Sequence, residues 1–331
     1  MPSVTAETIN DFVLCFAGIV WEAMPFIVLG ALVAGILEDV LPQEAVAKLL
    51  PKNVVLAIMI GGALGLVFPM CECGIVVVMR RLLRKGLPLS VCIAYMLAGP
   101  IVNVIVLFST YVAFVAYKVG EDQTSLGVPM VLLRGGMGFV VACVTGFVVH
   151  LVSKGSPTGL LTASALPPKS ALSMADGETP AKKTLGQRLN NITSTALGDF
   201  LDIMAFLIIG SLLAAFIKTN PAWIKAIQDV SVNQPLLAIP AMMGLAVLLC
   251  LCSEADAFLA AGFTGMSVSA RLGFLVLGPM LDLKLLVMYT RVFRPKLILT
   301  LVICTIVQVM AYCYLVHMLY NPTAGGGTAA P

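Results

Sequence analysis

Cysteine and glutamate side chains stand next to each other inside a long apolar stretch, in the run Cys71-Glu72-Cys73-Gly74. Thiolate and carboxylate ligands together suit soft or borderline cations such as Zn(II), Cu(I) or trivalent arsenic. No histidine lies near enough in sequence to complete a zinc site. The run therefore predicts a site for a metal or metalloid species, with Cys71, Cys73 and Glu72 as ligands and Gly74 beside them. The alternative is that both cysteines are packing residues, because free cysteine is among the residue types most often buried.

A second Cys-x-Cys pair, Cys250 and Cys252, follows 179 residues later in another apolar stretch. Polar residues come directly after it, and we expect them to belong to the same binding site: Ser253, Glu254 and Asp256. The chain has nine cysteines, an odd number, and several lie in apolar runs, which argues against a disulfide framework. We expect the other five to be packing residues: Cys15, Cys92, Cys143, Cys304 and Cys313.

Gly-Pro pairs interrupt two further apolar stretches, and a polar residue follows each pair. Proline removes a backbone donor and bends or breaks a helix. These breaks are either simple kinks or unwound turns that contact a ligand, and we expect the second. The substrate-binding residues predicted at these turns are Gly99, Pro100, Asn103, Gly278, Pro279 and Asp282.

The two breaks of the first half lie at similar distances on either side of a charged turn at residues 80–88. Each is about eleven residues from the turn, which is about 16 Å along a helix and close to the midplane of an apolar layer about 30 Å thick. Non-helical backbone is tolerated at that depth only where it is buried in protein or lines a wet cavity. The sequence therefore predicts that thiols, carboxylates and freed backbone groups meet in the middle of a membrane.

Acidic side chains recur in or near the apolar stretches, where each one costs about 2.5–3.5 kcal/mol near a helix centre. Glu22 and Asp202 have an alternative explanation, since they could lie near helix ends in water. Asp282 and Lys284 are two residues apart and do not face each other on one helix, so we expect each to find a partner elsewhere. Four acids are expected to surround a cation or to carry a coupling proton: Glu72, Glu254, Asp256 and Asp282.

Composition assigns the chain to a class. Hydrophobic residues make up 60% of the 331 residues, charged residues 11%, and the mean hydropathy is +1.02. A soluble domain has about 25% charged residues, so the chain is predicted to be a polytopic membrane protein with the lipid bilayer as a partner. Its net charge of +3 is scattered, and no basic stripe with interleaved aromatic residues occurs. Nucleic acid is therefore not an expected partner.

The predicted fold class is an all-α integral membrane protein with about eight transmembrane helices in two repeated four-helix halves. Four of the helices are expected to be discontinuous, at residues 69–74, 99–103, 250–256 and 278–282. The predicted spans are residues 12–37, 53–85, 88–117, 128–152, 197–218, 235–264, 268–292 and 295–319.

The halves are expected to be joined by a polar linker. Residues 1–153 form the predicted N-terminal repeat, 154–195 a partly disordered cytoplasmic linker, 196–320 the C-terminal repeat and 321–331 a flexible tail. Basic residues in the turn at 80–88 and in the linker place both regions, and both termini, in the cytoplasm. The basic residues at 291–296 argue for the opposite orientation of the second half.

An internal repeat supports the division into halves. The offset of 179 residues also superimposes the two Gly-Pro pairs and places Asn103 on Asp282, and an offset of 180 aligns the first spans. Duplicated halves with a binding site at their interface are a recurring transporter design. We therefore expect the two broken hairpins to pack together and to bring the two Cys-x-Cys pairs, and Asn103 and Asp282, into one polar cavity.

These motifs resemble the predicted bacterial permeases of the YraQ type, which include organoarsenical efflux permeases of the ArsP kind. The resemblance covers nearly the whole chain and rests on residues 71–74, 81–86, 98–103, 252–258 and 275–282. The chain looks closest to the Cys-Glu-Cys-Gly branch, which is commonly encoded beside a second membrane subunit. Many members instead have Cys-Ser-Cys-Gly, and Asn-Pro where this chain has Asn103-Val104. The resemblance implies a multi-pass permease of the bacterial cytoplasmic membrane, with a second membrane subunit as a partner, and it leaves the cargo open.

The predicted function is a secondary permease that moves a small soft solute, a metal or metalloid species, through the midplane site. We expect no enzymatic activity and no required cofactor. No G-x-x-x-x-G-K-[ST] nucleotide motif occurs, so the energy must come from a gradient or a partner. Two alternatives remain: a membrane thiol-disulfide redox protein that uses Cys71 and Cys73, and a scaffold subunit of a two-component permease complex.

Overall fold

A computed structural model describes residues 6–40, 51, 53–68, 70–115, 118–119, 124–153, 157–162, 185–218, 235–263 and 266–320. These residues form twelve α-helices. They are α1 (Ala6–Val40), α2 (Val54–Val67), α3 (Glu72–Arg84), α4 (Leu89–Ala98), α5 (Val104–Val115), α6 (Gly127–Ser153), α7 (Leu185–Lys218), α8 (Pro235–Leu249), α9 (Ala255–Gly262), α10 (Val268–Met280), α11 (Leu283–Val292) and α12 (Pro295–Tyr320).

Other secondary structure is minor. Two-residue strands, β1 (Lys118–Val119) and β2 (Thr124–Ser125), pair antiparallel before α6, and a short 3₁₀ helix covers Pro157–Leu160. Within the described part of the chain, five helical segments are long and apolar enough to cross a membrane, and shorter apolar helices accompany them. The prediction of an all-α integral membrane protein is therefore confirmed.

Three of the half-helices, α3, α4 and α10, lie buried at the centre of the bundle. Every residue of α4 is buried, as is every residue of α10 after the first. The long helices instead carry large apolar side chains on their outer faces, such as Trp21, Leu132, Phe216 and Met318, each about two-thirds exposed or more. In a bilayer these outer faces contact lipid, whereas α3, α4 and α10 are screened from it. The half-helices α2 and α5 also carry exposed apolar side chains, such as Val67 and Phe108.

Corresponding helices of the two halves pack in corresponding ways. Helix α4 packs between α2 and α6, and α10 packs between α8 and α12. Helix α9 of the second half contacts α5 of the first, and α3 of the first half contacts α11 of the second. The starts of α4 and α10 differ by the predicted 179-residue offset, and so do the starts of α5 and α11. The halves therefore meet through these half-helices and through the long helices, where α1 packs on α7 and α6 on α12.

Glycine allows the backbones to approach at the centre. A Cβ atom added to Gly30 of α1 would lie 2.9 Å from the Cα atom of Gly74, and one added to Gly74 would lie 2.9 Å from the Phe26 carbonyl oxygen. The turn between α3 and α4 uses Gly86 at φ 92°, a left-handed conformation that glycine adopts without strain. These positions bring α1 against α3 and fold the first hairpin.

The observed breaks match three of the four predicted ones. Helix α2 ends at Val67 before α3 begins at Glu72, α4 ends at Ala98 before α5, and α8 ends at Leu249 before α9. The fourth break falls later than expected, because Gly278 and Pro279 belong to the last turns of α10 and only Leu281 and Asp282 are non-helical. Proline removes one backbone donor, but the helix here continues past it.

One helix also begins earlier than predicted. Helix α7 starts at Leu185 rather than near residue 197, so the described end of the expected linker is helical. Residues 154–156 and 163–184 of that linker, and the expected tail at 321–331, lie outside the described residues. The predicted domain boundaries therefore stay predictions.

Candidate functional site

Four half-helices begin at the breaks, and each has an acid or an amide at its N-terminus. Glu72 and Asp256 lie in the first turns of α3 and α9. Asp282 is the N-cap of α11 and accepts a hydrogen bond from the backbone N–H of Leu285 at 2.6 Å, and Asn103 caps α5 by accepting from the Ile105 N–H at 2.9 Å. The partial positive charge of a helix N-terminus stabilises a carboxylate, which explains how acids are retained at this depth.

Lys284 joins the two halves through a buried ion pair. Its ammonium nitrogen donates to Glu72 Oε1 at 2.8 Å and to the Cys250 carbonyl oxygen at 3.3 Å, and it lies 3.5 Å from Asp282 Oδ2. All three charged side chains are about 1% exposed. The expectation that Lys284 and Asp282 would not interact is therefore wrong, because Asp282 lies before the helix as its cap rather than on the helix surface.

Buried thiols lie within electrostatic range of this ion pair. Cys73 lies within hydrogen-bonding range of Cys71, and it interacts electrostatically with Lys284 and Glu72. Cys252, from the other half, interacts with Glu72, Lys284 and Cys73. These thiols are at most 3% exposed. We call the whole group, Cys71, Glu72, Cys73, Cys250, Cys252, Asp282 and Lys284, the central cluster.

Cys250 contributes its backbone rather than its thiol. It has φ 49°, a left-handed conformation that costs a non-glycine residue about 1–3 kcal/mol. The thiol donates to the Val247 carbonyl oxygen at 3.4 Å, while the Cys250 carbonyl oxygen accepts from Lys284. Strained backbone at a break therefore points an oxygen at the buried cation.

A second buried ion pair lies beside the central cluster. Arg134 of α6 donates to both carboxylate oxygens of Asp256, at 2.8 and 3.0 Å. It also donates to the Ser253 carbonyl oxygen at 2.9 Å and to Thr110 Oγ1 at 2.6 Å. The side chain of Arg134 is fully buried and that of Asp256 is 3% exposed. We call this the arginine pair; like the central cluster, it links one half to the other.

Two more acids connect the clusters to the outer surface of the bundle. Glu254 is half-buried and interacts electrostatically with Glu72, Arg134 and Glu22. Glu22 of α1 is exposed and is also within electrostatic range of Cys252. Acidic side chains thus run from the exposed face of α1, through Glu254, to the buried Glu72.

The remaining predicted residues lie around the breaks, where they accept hydrogen bonds through the backbone or end and cap helices. Ser253 is buried and supplies a carbonyl oxygen to Arg134. Gly99 ends α4 where a side chain would collide with Ile75, and Pro100 is buried in the turn that follows. Asn103 caps α5, and no hydrogen bond among the described residues joins it to Asp282. The expected proximity of these two residues stays a prediction.

The predicted metal ligands do not form a coordination set in this arrangement. Among the residues that the structure describes, no three histidine, cysteine, aspartate or glutamate side chains are grouped so as to hold a metal ion. Glu72 Oε1 is bound by the Lys284 ammonium group, whereas Oε2 is buried and has no hydrogen-bond donor among the described residues.

Two residues of the buried ion pairs were not predicted as site residues from the sequence, Arg134 and Lys284. Each is a single cation in an apolar segment, and an ionisable residue within a membrane span is by default a functional candidate. That signal was present in the sequence, but it does not say which acid each cation contacts.

Comparison with known proteins gives a consistent result. The model of the predicted permease family ArsP_1 matches residues 8–318. The chain is 36% identical over 304 residues to UPF0718 protein YcgR of Bacillus subtilis, covering 91% of this chain and 95% of that protein. It is 33% identical over 305 residues to a Streptococcus mutans protein named "Putative two-component membrane permease complex subunit", covering 92% and 94% of the two chains. No solved structure matches.

The family match and the apolar helices agree with the buried polar clusters between the two halves. Such clusters in a multi-pass membrane protein are typical of a transport pathway rather than of a structural core. The chain therefore belongs to the predicted permease family ArsP_1 and is a multi-pass membrane permease by family.

Proposed function

We propose that this protein is a secondary permease that moves a small soft solute, a metal or metalloid species, through the central cluster. The observation that carries the proposal is that Cys73 and Glu72 of one half and Cys252 of the other lie within electrostatic range of one another, beside a buried ion pair. Thiolates and carboxylates together favour soft or borderline cations over hard ones. Contributions from both halves are what alternating access requires, because relative movement of the halves then dismantles the site.

The acidic residues between the surface and the cluster support an entry route for cations. Glu22 is exposed, Glu254 is half-buried and Glu72 is buried, so the negative charges continue from the outside of the bundle to the ligands. A low-dielectric passage lined by one sign of charge concentrates ions of the opposite sign. In this proposal Glu254 delivers the cargo, and Cys71 and Cys73 hold it.

Transport by cysteine variants tests the proposal. The Cys71→Ser, Cys73→Ser double variant should lose at least about tenfold in metal or trivalent arsenical transport into inside-out vesicles, because hydroxyl groups are poor ligands for soft cations. Cys143→Ser is the matched control, since this half-buried thiol lies in α6 on an apolar groove with Ile58 and Phe147. Normal transport of every wild-type cargo by the double variant would show that the Cys71 and Cys73 thiols do not bind the cargo.

Cargo binding should also strengthen as the pH rises. Thiolate is the ligand form of cysteine, so a bound soft cation must displace protons from Cys71 and Cys73. A binding assay in detergent between about pH 6 and 8 measures this dependence. Binding that is equally tight across that interval would show that the thiols do not ligate the cargo.

The membrane setting is part of the proposal. We place the protein in a bacterial cytoplasmic membrane with both termini in the cytoplasm. Cysteines introduced at Ser153 and Ser170, in a background without reactive thiols, should then be labelled only from the cytoplasmic side. Labelling from the outside would reverse the orientation. The S. mutans relative is named as a complex subunit, which supports a second membrane subunit as a partner here.

The approach of Cys71 and Cys73 favours one other candidate, a thiol-disulfide redox protein. Oxidation of the two thiols to a disulfide would release two electrons and two protons, which a membrane quinone would accept. Quinone reduction by purified protein that disappears in Cys71→Ser would favour this candidate over the permease. The buried Glu72, Asp282 and Lys284 have no part in such a reaction, so we rank it second.

A further inference from the structure

The ammonium group of Lys284 lies where a bound cation would lie. Three oxygen atoms surround it: Glu72 Oε1 at 2.8 Å, the Cys250 carbonyl oxygen at 3.3 Å and Asp282 Oδ2 at 3.5 Å. Carboxylate oxygens combined with a carbonyl oxygen from a helix break are the groups that coordinate ions in transporters with broken helices. Here the chain supplies its own cation to them.

The charges of the cluster are not balanced. With Glu72 and Asp282 ionised, one ammonium group faces two carboxylates, so one negative charge remains without a cation. The Glu72 side chain is only 1% exposed, and its Oε2 atom accepts no hydrogen bond from a described residue. A buried charge without a partner is strongly unfavourable, so the cluster favours the uptake of one positive charge, either a proton or a cationic cargo.

Binding of a cation to this oxygen and the thiols interferes with Lys284. Cys73 and Cys252 are both within electrostatic range of the ammonium group, so a cation that they hold lies close to it. Two cations at this distance in a dry site repel each other. When the Lys284 ammonium group moves away from Glu72, the Asp282 carboxylate and the Cys250 carbonyl oxygen remain as its partners.

We propose that Lys284 is a tethered counter-ion that neutralises Glu72 in the empty permease, gives up this carboxylate to a cationic cargo and, by returning to it, expels the cargo. The inference rests on the proposed function and assigns the residue that makes binding reversible. A tethered ammonium lets the site alternate between a cargo cation and an internal cation, so the buried carboxylates are never left without either. Lys284 acts on the cargo through Glu72 and is a positioning residue.

Removal of the ammonium group separates this role from a structural one. In Lys284→Gln, Cd²⁺ should bind about tenfold more tightly or better, because its competitor at Glu72 is gone. Transport of Cd²⁺ into vesicles should fall at least about tenfold in the same variant, because release is lost. Phenylarsine oxide, a neutral arsenical that binds pairs of thiols, should bind to Lys284→Gln with an affinity within about threefold of that of the wild type. Lys284→Arg, the matched control, keeps the charge and should bind Cd²⁺ within about threefold of wild type.

A second pair of variants decides the question if Lys284→Gln does not fold. In Glu72→Gln the ammonium keeps only Asp282 and the Cys250 carbonyl oxygen, so its removal there leaves one buried acid rather than two. Glu72→Gln, Lys284→Gln should then bind Cd²⁺ more tightly than Glu72→Gln alone, by about threefold or more, because the ammonium group no longer repels a cation held by Cys73 and Cys252. Binding that is unchanged or weaker in both comparisons would overturn the inference and make Lys284 a structural tie between the halves.

Wild-type binding separates the two proposals. If wild-type protein binds Cd²⁺ through Cys71 and Cys73 and removal of Lys284 does not tighten that binding, only the inference about Lys284 fails. If wild-type protein binds neither Cd²⁺ nor phenylarsine oxide, the proposed soft-cation site fails, and the inference fails with it.

Discussion

Removal of one member of the arginine pair should destabilise the protein far more than removal of both. Arg134→Met leaves Asp256 as a buried carboxylate with no cation within hydrogen-bonding distance, since its side chain is 3% exposed and both of its oxygens bond to Arg134. The loss of one partner from a buried pair costs about 3–5 kcal/mol. Total stabilities are about 5–15 kcal/mol, so this variant should lose a large fraction of its free energy of unfolding.

The double variant Arg134→Met, Asp256→Leu should recover most of that loss. Apolar replacement of both members of a buried ion pair is often neutral or better. The Ser253 carbonyl oxygen still loses its donor, which leaves a residual cost of about 1–3 kcal/mol, whereas Thr110 keeps its own hydrogen bond to the Val106 carbonyl oxygen. The structure therefore predicts a coupling free energy of at least about 2 kcal/mol between Arg134 and Asp256.

Equilibrium unfolding in mixed micelles measures these free energies, with a thiol-reactive dye reporting exposure of the buried Cys92 and Cys313. Lys296→Met is the control for loss of a cation, because Lys296 is exposed, and it should change stability by less than about 0.5 kcal/mol. A loss of under about 1 kcal/mol in Arg134→Met would mean that water reaches Asp256. Additive effects of the two single variants would refute the buried pair itself.

Two further predictions concern the helix contacts at the site. Gly74→Val should lower the free energy of unfolding by about 1–3 kcal/mol, because its Cβ atom would lie 2.9 Å from a carbonyl oxygen of α1. Gly18→Val, whose Cβ atom would have no neighbour within 4 Å, should change that free energy little. Equal losses in the two variants would contradict the close packing of α1 on α3. Asp282→Ala and Asn103→Ala each remove a helix cap worth about 1 kcal/mol. Only Asp282→Ala also removes a carboxylate oxygen near Lys284, so this variant alone should impair vesicle transport. Equal impairment by both variants would count against a role for the central cluster in transport.

Local patterns were sufficient to find most of the helix breaks. The Cys-x-Cys runs and Asn103 mark points where the backbone leaves the helix, and α5 and α11 begin one repeat offset apart, after Asn103 and Asp282. These features follow from short-range chemistry, since a capping side chain satisfies free N–H groups within a few residues of itself. The Gly278-Pro279 pair was misread for the same reason: in α10 the cap at Asp282, rather than the proline, marks where the next helix begins.

Partner choice among the charged residues was beyond the sequence. Lys284 and Glu72 are separated by 212 positions in the chain, and Arg134 and Asp256 by 122. The sequence alone determined that the protein is a membrane protein with broken helices and with acids and thiols at the breaks, because apolar composition and helix breaking are local properties. Only the tertiary structure decided which cation neutralises which acid, because an ion pair depends on distances of a few ångströms that arise when α3, α6, α9 and α11 pack together.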